Sequence, residues 1–97
     1  MSYVFHPAAE VEHLESVAWY ESKRPGLGAY YLSEFEGIMA YVCEAPHRYP
    51  IEKDSDIRRV RMKRFPCTVH FREVSGSVHV LAVAHHRRRP GYLLGRL

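Results

Sequence analysis

Cys67-Thr68-Val69-His70-Phe71-Arg72, the pair Ser75-Gly76 and the run Ser77-Val78-His79-Val80-Leu81-Ala82-Val83-Ala84-His85 decide the fold of this 97-residue chain. The first stretch alternates apolar and polar residues, the period of a half-buried strand. Ser75-Gly76 has the composition of a tight hairpin turn, and the last run is rich enough in apolar residues for a central strand. A two-residue turn places Arg72 opposite His79 and His70 opposite Leu81. Parity then puts Cys67, Val69, Phe71, Val78, Val80, Ala82 and Ala84 on one face. Thr68, His70, Arg72, His79, Leu81, Val83 and His85 share the other. A one-residue bulge would exchange sides beyond it, and the nearly pure apolar set argues against one.

Upstream, Arg59-Val60-Arg61-Met62-Lys63 alternates as well. With Val60 and Met62 inward, Arg59, Arg61 and Lys63 join the outward face, and Phe65-Pro66 ends the strand. The three runs form an antiparallel meander. Before them the period is helical. After a short strand candidate at Tyr3–His6, Pro7 suits a first helical turn and Glu10 and Glu12 suit the positive helix end. Val11, Leu14 and Ala18, flanked by Val17 and Trp19, predict a buried face for a helix over residues 8–23, ended by Arg24-Pro25-Gly26. Tyr31, Leu32, Phe35, Ile38, Met39 and Val42 mark a second amphipathic helix from about Leu27 to Glu44, ended by Pro46. The expectation is a single α+β domain over 1–97, ordered β-α-α-β-β-β, with a helical hairpin on one face of a small antiparallel sheet.

The chain is 46% hydrophobic and 26% charged, with no apolar run long enough for a membrane span. No basic segment followed by an apolar stretch opens it, so the expected location is cytoplasmic. The two cysteines, Cys43 and Cys67, lack metal-ligand spacing and are expected to be reduced core thiols. Charge is divided along the sequence. Residues 1–50 carry seven acids and three bases, residues 51–97 four acids and eleven bases, so −4 and +7 sum to +3. The basic half is the candidate for phosphates or an acidic partner.

That half holds the chemistry-bearing residues. A cationic strand surface with imidazoles can bind a phosphodiester, stabilise its developing charge with arginine and move protons with histidine. The segment His85-His86-Arg87-Arg88-Arg89-Pro90-Gly91-Tyr92 concentrates further charge at a strand end. No metal site is expected: His85 and His86 should point to opposite faces, and His79 and His85 lie about 20 Å apart along a strand. Phosphate-loop, nucleophile-elbow and paired-carboxylate patterns are missing, and no cofactor is expected.

In order and spacing, four pieces of the chain resemble the RelE/ParE toxin superfamily, particularly its ParE-like plasmid-stabilisation branch. They are the helix joint Arg24-Pro25-Gly26-Leu27-Gly28, the segment Pro46-His47-Arg48-Tyr49-Pro50, the strand pair from Ile57-Arg58-Arg59 through Arg64-Phe65-Pro66 to Phe71-Arg72, and the ending from Leu81 to Pro90. The resemblance covers nearly the whole chain. It implies a growth-inhibiting toxin neutralised by a cognate antitoxin whose disordered segment folds across helices and sheet in a hetero-oligomer, with acidic residues available for Arg87–Arg89.

Two mechanisms divide that superfamily. A ParE-like member poisons DNA gyrase by binding it, without catalysis, and the helix joint and Arg-Tyr-Pro piece point to that branch. Target-binding residues would then be Arg59, Arg61, Lys63, Arg88, Arg89 and Tyr92. A RelE-like member cleaves mRNA on the ribosome, and Arg72, His85 and Arg87 would be catalytic, with Arg61 and Lys63 beside them. The lack of an evident carboxylate base on the central strands favours the gyrase reading. A free-standing nucleic-acid-binding module ranks last, because the outward face lacks exposed aromatics for stacking.

Overall fold

A computed structural model describes residues 1–52 and 55–86. Strand β1 (Tyr3–Phe5) leads into helix α1 (Pro7–Lys23), helix α2 (Leu27–Glu44) and a 3₁₀ turn at Pro46–Arg48, then strands β2 (Arg58–Arg61), β3 (Cys67–Val74) and β4 (Ser77–His85). The α+β order matches expectation, and the sheet gains a strand. It is four-stranded and mixed, ordered β1-β4-β3-β2. The meander is antiparallel, whereas β1 runs parallel to β4 with Tyr3 opposite Val78 and Phe5 opposite Val80. The two helices between them supply the long crossover that a parallel pair requires.

Local chemistry sets the boundaries. His6 caps α1, its Nδ1 accepting from the Ala8 N–H at 3.1 Å, and Pro7 fills the first turn. Gly26 adopts φ 89°, and the Glu21 carboxylate accepts from the N–H groups of Gly26 and Gly28, capping the start of α2. The helices cross closely at Gly28, where a Cβ would lie 2.7 Å from the Val17 carbonyl oxygen. Positive φ at both Ser75 and Gly76 gives the β3–β4 turn the twist a tight hairpin needs.

The core lies between the helices and one sheet face. From α2 come Tyr31, Phe35, Met39 and Val42, all fully buried, and Val69, Phe71, Val78 and Val80 meet them from the sheet. Helix α1 is rotated from its expected setting. Val11, Leu14 and Trp19 are 53%, 59% and 55% exposed, while Ala9, Glu12 and His13 are buried. Residues 9, 12, 13, 16, 17 and 20 also recur at helical spacing, and this stripe gives the core larger rings. His13 stacks on Phe5 and lies 4.3 Å, centroid to centroid, from Phe35, while Tyr20 packs on Tyr31 and Phe65.

A second correction concerns β4. The register shifts between His70 and Phe71: Phe71 pairs with Val80, but His70 pairs with Ala82. Leu81 is therefore a bulge residue, and parity reverses beyond it. Val83 pairs with Val69 and His85 with Cys67 on the helix side, and Ala82 and Ala84 move to the outward face. Val80 through Ala84 are all buried, so apolarity alone could not reveal the slip.

Candidate target-binding face and partner cavity

The outward face is built by β2 and β3. Arg59 stands opposite His70 and Arg61 opposite Thr68, with Arg72 following on the same side of β3 and facing His79. Arg59 and Arg61 are exposed, as expected. Strand β2 ends at Arg61, so Lys63 lies in the following turn. Its N–H and that of Arg64 donate to the Glu34 carboxylate on α2 at 2.9 and 3.2 Å. Arg58 is structural: its guanidinium donates to the Tyr49 carbonyl at 2.6 Å.

Two acids that the sequence left unassigned meet this face. Glu52 Oε1 lies 2.7 Å from His70 Nδ1, and Arg72 Nη2 donates to Asp56 Oδ1 at 2.8 Å. The turn carrying them is fastened by the Glu52 N–H to the Ile57 carbonyl at 2.7 Å and by an Ile51–Arg58 bridge. Arg72 Nε is buried and has no hydrogen-bond partner among the described residues. Arg61 reaches His86 Nδ1 at 3.4 Å. The Glu52 carboxylate fixes the orientation of the His70 imidazole, and the arginines add fixed positive charge.

On the helix side, Glu12, Glu15, Ser16, Trp19 and Tyr20 of α1 face Pro66, Cys67, Val83 and His85 across a cavity of about 510 Å³. The Glu12 carboxylate accepts from the buried Val83 N–H at 3.0 Å, serving β4 beyond the end of β1. Burial pushes the Cys67 thiol up, so it is a weak nucleophile. Both cysteines are free and buried. Arg72 and His85, expected to act together, lie on opposite faces. Their pairing positions on β3 are five residues apart, roughly 17 Å at strand rise. Arg87, Arg88, Arg89 and Tyr92 lie outside the described residues.

Among known structures, the chain is similar to one from the chromosomal ParDE TA system of P. aeruginosa. The TM-score is 0.74 at 12% identity, covering 88% of this chain and 95% of that one. The fold is ParE-like. Neither a protein-family model nor a curated protein sequence matches the chain. Within this ParE-type frame, the described residues include no group of three or more His, Cys, Asp or Glu side chains placed to hold a metal, and no helix long and apolar enough to cross a membrane. Sequence reasoning missed Glu52, Asp56 and Glu12. The signal for the first two was an acidic cluster, Glu52 to Asp56, directly before a strand of arginines. For Glu12 it was an acid on the second helical stripe of α1.

Proposed function

We propose that the chain is the toxin of a type II toxin–antitoxin module, acting in the cytoplasm by poisoning DNA gyrase and held inactive by a cognate antitoxin. The observation that carries this reading is the set of large exposed apolar side chains on α1 in a chain of ParE-like fold. Val11, Leu14 and Trp19 stand more than half exposed, and Trp19 borders the cavity. Large exposed apolar side chains gathered on one helix of so small a protein give a partner segment something to bury. A segment folding onto it would bury the indole and fill the cavity, as coupled folding and binding requires. The outward face, with Arg59 and Arg61, is left for the target, together with Lys63 at its margin and Arg88, Arg89 and Tyr92 beyond the described residues.

One observation favours a RelE-like ribonuclease as a second reading. Glu52 on His70 supplies, among arginines, the carboxylate that the central strands lacked. Expression alone and with the product of the neighbouring reading frame, scoring DNA supercoiling and mRNA integrity separately, tests both. Growth arrest with lost supercoiling and intact mRNA is expected. Cleavage of translated mRNA that disappears in His70→Ala would favour the ribonuclease, and normal growth would refute the toxin reading.

A further inference from the structure

The cavity under α1 is sized for a small molecule. Its volume of about 510 Å³ falls within the ordinary range of ligand pockets, roughly 300–1,000 Å³. Two aromatic side chains form one corner of it. Trp19 and Tyr20 both line the cavity, and their rings stand 5.0 Å apart, centroid to centroid, at 87°. Tyr20 is held in place by stacking on Tyr31 and by the edge contact with Phe65. Rings set at right angles form the corner that aromatic cages offer to an organic cation. The indole already attracts one. Lys23, which does not line the cavity, holds its Nζ 4.8 Å from the Trp19 ring centroid.

Charge selects the sign of the ligand. Glu12 and Glu15 line the α1 wall, His85 is the one lining base, and no Lys or Arg side chain lines the cavity among the described residues. Glu12 accepts from the Val83 N–H, and a carboxylate has capacity for further donors. Ser16 adds a hydroxyl to the lining. Against Ser16, Tyr20 and Cys67 lies the hydroxyl of Tyr31, fully buried and without a hydrogen-bond partner among the described residues. Pro66 and Val83 supply apolar surface across from these acceptors. A phosphate or carboxylate would meet two like charges here. A planar head group with several N–H donors on an apolar stem meets complementary groups throughout, and a guanidinium has that form.

We propose that this cavity binds a small organic cation, a guanidinium on a short alkyl chain. The head group lies between Glu15 and the Trp19–Tyr20 corner, and the stem lies against Pro66 and Val83. The site belongs to the free chain, and a partner segment filling the same cavity would displace its ligand.

Trp19 is the single tryptophan of the chain, so intrinsic fluorescence of the full-length protein reads occupancy of the cavity. Titration with butylguanidinium should change it saturably, and neither the neutral isostere butylurea nor the anion pentanoate should do so. In NMR spectra the Tyr20 and Val83 resonances should move with the cation, while those of Arg59 and Thr68 on the outward face stay in place. By calorimetry, Glu15→Gln should weaken binding roughly fivefold. Trp19→Leu should weaken it by a similar factor, about fivefold. Both side chains are exposed, so neither change disturbs the core. Lys23→Gln removes a cation that competes for the indole and should tighten binding roughly twofold. Glu44→Gln, the same loss of charge at the last residue of α2, should leave it unchanged. No saturable change, an equal response to butylurea, or equal weakening by Glu15→Gln and Glu44→Gln would each overturn the proposal. Binding of an arginine-containing peptide without binding of butylguanidinium would overturn it too, by assigning the cavity to a partner chain. Growth is not scored, so failure here and failure of the toxin reading are separate outcomes.

Discussion

The two faces of the sheet use carboxylates in opposite ways. On the helix side, Glu12 is 9% exposed and accepts from a strand N–H that β1 is too short to reach. On the outward side, Glu52 and Asp56 lie on His70 and Arg72 with their own side chains 29% and 65% exposed. The first acid replaces a missing strand partner, and its loss leaves a buried donor. Water or another anion can replace the second pair. Charge buried against backbone belongs to the fold, while charge paired at a surface is available for function.

This contrast breaks most readily in the core. Phe35→Ala removes a fully buried ring that meets Tyr3, Phe5 and His13, and should cost about 3–5 kcal/mol in a denaturant titration. Glu12→Ala should cost about 1–3 kcal/mol, because the Val83 N–H then stays buried and unpaired. Gly28→Ala should cost a similar 1–3 kcal/mol, since the added Cβ meets backbone on α1. Arg72→Gln on the outward face should change stability by less than about 1 kcal/mol. A loss from Arg72→Gln equal to that from Glu12→Ala would erase the distinction.

Acid sharpens the same contrast. Burial lowers the pKa of His13 from 6.5, against opposing pulls from Glu36 and Glu10, and its Nδ1 has no hydrogen-bond partner among the described residues. The unfolded chain therefore binds a proton that the folded chain excludes. Stability from this residue is complete above pH 6.5, falls as pH drops through the window down to the lowered value, and levels below it. Thermal unfolding from pH 7.5 to 5 should show the loss, and His13→Phe should flatten it.

How much of this was legible depended on what each stretch encodes locally. The α2 stripe of Tyr31, Phe35, Met39 and Val42, the Pro-Gly joint and the Ser75-Gly76 turn announce themselves through periodicity and backbone preference, and the structure has them where the sequence puts them. The rotation of α1 was hidden because it carries two stripes. Counting aliphatics favours Val11 and Leu14, but the aromatic cavity of the core accepts His13 and Tyr20. The bulge at Leu81 was hidden because every residue from Val80 to Ala84 tolerates burial on either side. The outward acids were hidden because the 50–57 turn folds back across strands that follow it. Parity within one strand says nothing about such a return, so the outward basic surface was readable and its two carboxylates were not.

Under the proposed function, the protein halts growth and a partner restrains it by covering α1. Growth measured for wild type and Trp19→Asp, each expressed alone and with the neighbouring reading frame's product, tests it most directly. Arrest by both proteins alone and rescue of the wild type only are expected, because a charge at position 19 blocks docking and leaves the exposed helix face folded. Equal rescue of both proteins, or normal growth with the wild type alone, would contradict it.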